Sequence, residues 1–217
     1  METRQLLKSG LAELGLPSSD AQINAFMTYL SELKKWNRAY NLTGLVKDED
    51  IIIKHFLDSL LYLKAIPQGA VHIADIGTGA GFPGIPIMIV RPETEMYLIE
   101  PSGKKAVFLR HIIWQLQLKK IEVIEKRIEE LKVSQGLPFA VDIAVTRALF
   151  DVSDFVRKAS PIVKPGGILI LNKGPKAIEE ITKLKNISYE LMTVGLPLSE
   201  IKRNLVIIRL NAPQDGL

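Results

Sequence analysis

Three glycines alternate directly after a short apolar run, and an acidic residue follows about 20 positions later. Gly77, Gly79 and Gly81 stand at every second position, and Glu100 ends the next apolar run, Met96–Ile99. Glycine lets the chain turn sharply, and a ligand can approach its backbone because no Cβ is in the way. A carboxylate at this spacing can accept hydrogen bonds from ribose hydroxyls. The pattern therefore predicts a turn that binds a nucleotide.

The prolines beside the glycines bear on which nucleotide is bound. A GxGxxG string exists at Gly79–Gly84, so a dinucleotide such as NAD(P) stays open, but the first glycine after the strand is Gly77. Pro83 and Pro86 also remove amide donors that a pyrophosphate would use at the start of a helix. S-adenosylmethionine carries adenosine without phosphate, so it does not need those donors. It is the preferred cofactor, and a glycine turn without any ligand is the remaining alternative.

Strands and helices alternate around this turn. Val71–Ile76 and Met96–Ile99 are predicted strands, and a helix is predicted from Phe82-Pro83 through Val90. A boundary is expected at Pro67–Gly69. Beyond Glu100, a helix whose apolar set includes Val107 is predicted after Ser102, and further helices are predicted at Phe150–Ala159 and Ala177–Leu184. The predicted strands are Ile121–Ile124, Phe139–Thr146, Ile168–Leu171, Tyr189–Val194 and Leu205–Leu210. Pro165–Gly167 is a predicted turn before the strand at Ile168, and Asn172–Pro175 is predicted to lead out of it. This order predicts an α/β fold with a mainly parallel sheet and an antiparallel C-terminal edge.

Residues 1–66 are predicted to form a helical extension, and residues 67–217 the core. Ser18 or Ser19 can cap a second helix that fades near Trp36. A third helix is expected to start at Asp48 or Asp50. The sequence places His55, Asp58 and Ser59 on or near one side of that third helix. They are interpreted as structural polar residues, with a substrate contact as the alternative.

Composition and charge limit the classes of function. The chain has 217 residues, 47% of them hydrophobic, and no cysteine, which excludes a disulfide framework, a thiolate metal site and a cysteine nucleophile. It has neither a signal-peptide pattern nor an apolar run long enough to span a membrane. A cytoplasmic protein is expected. The formal net charge is +4, and the surplus lies after residue 70; this suits a polyanionic partner but also occurs in ordinary domains.

The carboxyl ends of parallel strands meet at one edge of a sheet, where such folds bind their ligands. Polar residues leave four of the predicted strands there: Glu100, Arg127, Arg147 and Lys173. Single basic residues after a strand are often only solvated surface charges. Three basic residues on the same rim, each after a different strand, favour a functional role over solvated surface charges.

Seven strings of this chain, taken in order, resemble a known family. They are NRAYNLTG, KHFLDSL, ADIGTGAGFPGIP, a GKK after the acid, RIEE, TRAL and LNKG. This order and spacing resemble the bacterial small-subunit ribosomal RNA methyltransferase G family, also called glucose-inhibited division protein B. The resemblance covers about residues 30–175. It implies a class I S-adenosylmethionine-dependent methyltransferase fold, Rossmann-like, with an N-terminal helical extension. It also implies methyl transfer to guanine N7 in 16S ribosomal RNA.

The glycine pattern and the resemblance together give expected roles to individual residues. The expected cofactor-binding residues are Gly77, Thr78, Gly79, Gly81, Phe82, Glu100, Ser102, Ile128, Glu129 and Arg147. The expected RNA-binding residues are Lys104, Arg127, Arg147 and Lys173, with Arg38, Asn41 and His55 as further candidates. Arg147, with Arg127 and Lys173, is the expected catalytic group. The family often has Asp-Ser where this chain has Glu100-Pro101-Ser102, which leaves the contact of Ser102 open.

The implied chemistry agrees with the residues present. Guanine N7 carries a lone pair and no proton, so its methylation needs positioning rather than a general base. The three histidines have no metal-ligand spacing, and no metal is expected. Thr146-Arg147-Ala148-Leu149 stands where exocyclic amino methylation often uses an Asn/Asp-Pro-Pro-aromatic string. Arg147 is therefore expected to orient the base or a phosphate.

The expected partner is 16S ribosomal RNA in the small ribosomal subunit or in an assembly intermediate of it. The protein is expected to act as a monomer, and no membrane is expected to take part. A small-molecule S-adenosylmethionine-dependent methyltransferase remains the alternative, and an NAD(P)-binding protein a more distant one.

Overall fold

The computed structural model describes residues 2–69, 72–133, 137–138, 140–147, 149–174, 177–181 and 187–211. Strands in these residues form one sheet in the order β3-β2-β1-β4-β5-β7-β6. They are β1 (His72–Ile76), β2 (Glu95–Ile99), β3 (Ile121–Ile124), β4 (Val141–Arg147), β5 (Val163–Lys173), β6 (Tyr189–Gly195) and β7 (Lys202–Arg209). The first five are parallel, and β7 runs antiparallel to both β5 and β6. The predicted sheet with its antiparallel C-terminal edge is confirmed.

Helices cover both faces of this sheet. They are α1 (Thr3–Glu13), α2 (Asp20–Tyr40), α3 (Asp48–Ile51), α4 (Asp58–Leu60), α5 (Gly84–Val90), α6 (Gly103–Gln115), α7 (Val152–Ala159) and α8 (Ala177–Ile181). A π-helical stretch, Ile52–Leu57, joins α3 to α4, and short 3₁₀ segments lie at Leu61–Lys64, Ile128–Glu130 and Ser160–Ile162. One hydrophobic core lies under α2, α5 and α6, and the other under α7. Among the described residues, the structure contains no helix with the length and hydropathy of a membrane span.

Helix α2 is longer than predicted. Ser19 forms a capping box with Gln22 and so begins the helix at one of the two predicted positions. The prediction that α2 fades near Trp36 is wrong, because the helix continues to Tyr40. The Trp36 ring packs 5.7 Å from Phe108 and 4.9 Å from His111, centroid to centroid, and these contacts with α6 hold the last turns.

The N-terminal helices share a core with the sheet. The Tyr29 ring of α2 stacks on Phe56 at 5.2 Å and on Phe82 at 5.3 Å, and Phe82 directly follows the glycine turn. Phe26, Phe56 and Phe108 are fully buried in the same cluster. The packing therefore joins the predicted extension to the glycine turn, while a division near residue 66 remains a prediction.

Three local predictions need correction. The strand expected at Ile168 already begins at Val163, so Pro165–Gly167 lies inside β5, opposite a register irregularity between Val141 and Ile143. Asn172 and Lys173 belong to β5 rather than to the turn after it. Val107, expected in the apolar set of α6, is 52% exposed. Parts of other predicted elements lie outside the described residues: Val71, Phe139, Ala148, Pro175 and 182–184.

Candidate functional site

The glycine turn lies between β1 and α5, beside the point where the strand order reverses from β1 to β4. Gly77, Gly79 and Gly81 all have positive φ, at 71°, 63° and 101°, which glycine adopts without strain. The Gly77 N–H donates to the Ile99 carbonyl at 2.8 Å and so joins the turn to β2. A Cβ on Gly79 would meet no atom within 4 Å, whereas one on Gly77 would lie 2.1 Å from Leu149. The turn therefore has open space at Gly79.

Glu100 joins this turn to the start of α6. It is buried; Oε2 accepts a hydrogen bond from the Gly79 N–H at 2.9 Å, and Oε1 accepts one from the Ser102 N–H at 3.0 Å. A carboxylate has about four acceptor positions, so each oxygen keeps acceptor capacity beyond these bonds. Glu100 thus combines a rigid position with free lone pairs at the edge of an open space.

Asp75 lies at the base of the turn, and sequence reasoning missed it. Its side chain is fully buried, and Oδ2 accepts from the Thr78 hydroxyl at 2.5 Å and from the Gly84 N–H at 2.8 Å. Oδ1 has no hydrogen-bond partner among the described residues. Burial raises the pKa of Asp75 to about 7, although these hydrogen bonds and Arg147 act to lower it. An acidic residue inside an otherwise apolar predicted strand was the sequence signal that could have identified Asp75.

Phe82 forms a platform of aromatic rings at the site. Its buried ring stacks on His55 at 4.4 Å and on Tyr29 at 5.3 Å, centroid to centroid. The Arg147 guanidinium carbon lies 5.1 Å from the Phe82 ring centroid, within the range of a cation–π contact. The structure thus brings together Phe82, His55 and Arg147, which the sequence had assigned to three separate motifs.

Arg147 is the last residue of β4, and residues of the N-terminal helices hold its side chain. Its Nη1 donates to the Lys54 carbonyl at 3.3 Å and lies 3.7 Å from Asp58 Oδ2. The Arg147 side chain is 21% exposed, so part of the guanidinium faces solvent. A guanidinium has five N–H donors, and the donors beyond these contacts can meet a ligand.

Asp58 is a buried junction of three chain segments. Besides Arg147, its Oδ1 accepts from Arg203 Nε at 2.8 Å and from the Asn172 amide at 3.3 Å. These partners come from β4, β7 and β5. From the sequence, Asp58 is interpreted as a structural polar residue. The structure shows in addition that it contacts the candidate catalytic arginine.

His55 lies in the π-helical stretch beside this cluster. Its Nε2 is 2.7 Å from the Thr43 hydroxyl, and its Nδ1 is 3.2 Å from the Lys54 carbonyl. Burial, followed by the nearby Arg147 charge, lowers the pKa of His55 to about 3. The ring is therefore neutral near pH 7. Thr43 is itself held by the Asn37 side chain, which accepts from the Thr43 N–H at 2.8 Å.

The remaining predicted residues divide into embedded and surface groups. Lys173 is only 12% exposed; it forms an ion pair with Glu180 at 2.8 Å and also donates to the Phe150 carbonyl. Ile128 is buried, whereas the neighbouring Glu129 is about half exposed and forms a 2.8 Å ion pair with Lys158. The other members, which lie on the surface, are Arg38, Asn41, Lys104 and Arg127. Lys173 is thus tied to α8 rather than to the Arg147 cluster.

The arrangement can hold a planar group next to a ligand at the glycine turn. A neutral histidine, an aromatic platform and a partly exposed arginine offer positioning and charge, not proton transfer. In the described part of the chain, no group of three or more His, Asp or Glu residues could hold a metal ion.

The sequence model of the rRNA small subunit methyltransferase G family matches residues 22–204. Relatives named "Ribosomal RNA small subunit methyltransferase G" include one from Acetivibrio thermocellus, 36% identical over 96% of this chain and 89% of its own, and one from Geobacter sp. (strain M21), 38% identical over 96% and 98%.

Solved structures share the fold at low sequence identity. A precorrin-6y C5,15-methyltransferase from Geobacter metallireducens has a TM-score of 0.51 at 15% identity, covering 71% of this chain and 86% of its own. An rRNA methylase from Streptococcus thermophilus has a TM-score of 0.51 at 13% identity, covering 71% and 95%. These likenesses and the sheet order confirm the predicted class I S-adenosylmethionine-dependent methyltransferase fold.

Proposed function

The chain belongs to the rRNA small subunit methyltransferase G family, and from this premise we propose that it methylates guanine N7 in 16S ribosomal RNA with S-adenosylmethionine. The substrate is the small ribosomal subunit or an assembly intermediate of it, met in the cytoplasm. The observation that carries the proposal is the position of Arg147. It lies on the Phe82 ring at the carboxyl edge of the sheet, next to the glycine turn.

The glycine turn fits S-adenosylmethionine. The open space at Gly79 admits a ligand against the backbone, and the remaining lone pairs of Glu100 suit ribose hydroxyls. We assign the adenine side to Ile128 and Glu129, with Ser102 close to Glu100, and the rest of the cofactor to Gly77–Phe82. When bound, the cofactor supplies an electrophilic methyl group on a sulfonium.

The target atom suits the groups beside it. Guanine N7 has an in-plane lone pair and no proton to remove, so the site needs no general base. His55 fits this requirement because its lowered pKa keeps the ring neutral and without an added positive charge near pH 7. Methyl transfer then depends on holding the base in line and keeping water away.

Arg147 is proposed to hold the guanine rather than to move a proton. Guanidinium pairs well with guanine O6 or with phosphate oxygens. It cannot bind N7 itself during transfer, because that lone pair attacks the methyl group. Asp58, Lys54 and Phe82 fix the guanidinium before the substrate arrives, so little reorganisation remains.

The N-terminal helices, residues 1–66, are proposed as an extension that completes this site. They supply His55 and Asp58, and the Lys54 carbonyl that holds Arg147. Arg38 and Asn41, at the exposed end of α2, are proposed RNA contacts together with Lys104, Arg127 and Lys173.

Methyl transfer to purified small subunits tests the proposal. Radiolabelled S-adenosylmethionine should label subunits from a strain lacking this enzyme, while subunits from the parent strain should accept almost none. Borohydride and aniline treatment should then cleave the RNA at one guanine, as expected for 7-methylguanine. Labelling at another atom would overturn the N7 assignment, and no labelling of any RNA would overturn the function. Calorimetry with S-adenosylhomocysteine and NAD separately tests the cofactor; tighter binding of NAD would contradict it.

A further inference from the structure

The outer surface of α6 and β3 is basic and carries an exposed aromatic residue. Strand β3 lies at the edge of the sheet, and α6 precedes it in the chain. Residues 104–127 contain seven Lys or Arg and two Glu. We name as the α6–β3 surface the exposed residues Lys104, Arg110, Trp114, Lys119, Lys120 and Arg127.

Trp114 is the most unusual member of this surface. Its side chain is 71% exposed, and the neighbouring Val107 on the same helix is 52% exposed. Trp114 lines a groove of about 780 Å³ between the last turns of α6 and β3, together with Arg110, Lys119 and Ile121. An exposed indole beside basic side chains is typical of surfaces that stack nucleobases.

The surface continues from the proposed active site. Lys104 lies in the first turn of α6, just after Glu100 and Ser102, and Arg127 follows the carboxyl end of β3. Trp114 is ten residues beyond Lys104, which places it about 15 Å further along the helix. A chain of a few nucleotides spans that distance.

We propose that the α6–β3 surface binds an RNA segment of the substrate next to the target guanine. Trp114 stacks on a base in the groove, while Lys119, Lys120 and Arg110 neutralise phosphates. Arg110 pairs with Glu125 at 3.0 Å, but both side chains are about half exposed, so this pair competes weakly with a phosphate. The excess of positive charge favours RNA over an apolar protein partner. The inference rests on the proposed function.

Binding experiments can separate this surface from catalysis. The protein is loaded with S-adenosylhomocysteine, and its affinity for small subunits from a strain lacking the enzyme is measured. Trp114→Ala should weaken binding about tenfold, and Trp114→Phe, which keeps a stacking ring, should bind nearly as the wild type does. Lys119→Glu with Lys120→Glu should weaken binding and lower the slope of log affinity against log salt by about 1–2.

A matched control carries the same charge change elsewhere. Lys64→Glu with Lys202→Glu alters two other exposed lysines and should affect RNA affinity much less. Every variant should bind S-adenosylhomocysteine as the wild type does, which shows that the fold is intact. In methyl transfer, the α6–β3 variants should raise KM for subunits and leave kcat close to the wild-type value.

Three results would overturn the inference. Wild-type affinity of both Trp114→Ala and the double glutamate variant would exclude an RNA contact. An equal loss in the control variant would mean that only total charge matters. A wild-type dimer in light scattering that Trp114→Ala converts to a monomer, with RNA affinity unchanged, would make the surface a self-association site. Because binding is measured without methyl transfer, failure of this inference is distinguishable from failure of the proposed function.

Discussion

At the scale of single residues, Arg147 is held by groups that are far apart in the chain. Lys54 and Asp58 contact its guanidinium from the N-terminal helices, and the Phe82 ring lies beneath it. A side chain fixed by several partners loses little freedom when it binds a ligand. The proposed role of Arg147 therefore depends on residues that do not themselves reach the substrate.

Replacing Arg147 tests its role directly. Arg147→Ala should lower kcat on small subunits on the order of 100-fold, because a positioned donor to the base or phosphate is lost. The kcat of Arg147→Lys should lie between the values of the wild type and of Arg147→Ala, since lysine keeps the charge but not the planar guanidinium fork. Calorimetry should find the affinity for S-adenosylhomocysteine changed less than about threefold. A wild-type rate for Arg147→Ala would refute the assignment.

Asp58 is predicted to act by positioning Arg147. Asp58→Asn replaces a carboxylate oxygen with an amide N–H that repels the guanidinium, and it weakens the bond to Arg203. Both stability and kcat should fall, the former by about 2 kcal/mol. Arg203→Gln is the control: it should also lose stability, yet keep kcat within about threefold because Arg147 and Asp58 remain paired. Equal losses of kcat in the two variants would show a purely structural role.

Asp75 predicts a pH dependence of stability. Its folded-state pKa, raised by burial to about 7, lies above the ordinary value of 3.8. As pH rises from about 4 to about 7, Asp75 loses its proton first in the unfolded state and only at higher pH in the folded state. Stability should fall over that window, by up to about 4 kcal/mol from this group, and level off above it.

Asp75→Asn isolates this contribution. Its side-chain oxygen can still accept from Thr78 and Gly84, but the group no longer titrates. Denaturant unfolding at a series of pH values should show a flatter profile for Asp75→Asn than for the wild type between pH 4 and 7. Parallel profiles would contradict the raised pKa.

At the scale of elements, α2 supports the glycine turn through one buried hydrogen bond. The Tyr29 hydroxyl donates to the Ala80 carbonyl at 2.5 Å, and both residues are buried. Glycine at position 81 leaves room for this hydroxyl, since a Cβ there would lie only 2.7 Å from it. The helix and the turn are thus matched to each other.

Tyr29→Phe should leave the Ala80 carbonyl buried without its donor, at a cost of about 1–3 kcal/mol of stability. The affinity for S-adenosylhomocysteine should fall as well, since the turn loses its support. Tyr62→Phe is a matched control, because the Tyr62 hydroxyl donates to the buried Thr146 carbonyl at 2.5 Å. The control should lose similar stability and keep cofactor affinity. Wild-type cofactor affinity in Tyr29→Phe, or an equal loss of affinity in Tyr62→Phe, would contradict this link.

At the scale of the whole molecule, the N-terminal helices and the C-terminal strand β7 meet at one junction. Asp58 of the N-terminal helices contacts Arg203 of the C-terminal strand β7, beside Arg147 at the edge of the parallel strands. Segments from the N-terminal helices, the parallel strands and the antiparallel edge thus meet beside Arg147. The open side of the site and the basic α6–β3 surface remain for a large substrate.

A substrate held largely through phosphates predicts salt-dependent activity. Raising monovalent salt from 50 to 200 mM at constant Mg²⁺ should increase KM for small subunits about tenfold or more, because bound counterions are released on binding. The affinity for S-adenosylhomocysteine should change less than twofold, as that ligand makes no phosphate contact. A salt-independent KM would argue against an RNA partner and favour a small-molecule substrate.

Much of the fold follows from local patterns in the chain. Alternating apolar runs and turn residues predicted the parallel sheet, and Ser19 was one of two predicted caps of α2. The end of α2 was misjudged because contacts of Trp36 with α6 extend the helix. Likewise the start of β5 was misplaced, since pairing with β4 carries the strand through Pro165–Gly167.

The chain by itself determined which residues could do chemistry, because spacing after each strand places Glu100, Arg127, Arg147 and Lys173 on one rim. Only the tertiary structure decided which of them work together. Arg147 joins Phe82, His55 and Asp58, whereas Lys173 is bound to Glu180. The sequence also did not determine that Asp75 is buried, because its exclusion from water results from the packing around it. Spacing governs which strand end a residue occupies, but ion pairs and burial depend on segments that meet only after folding.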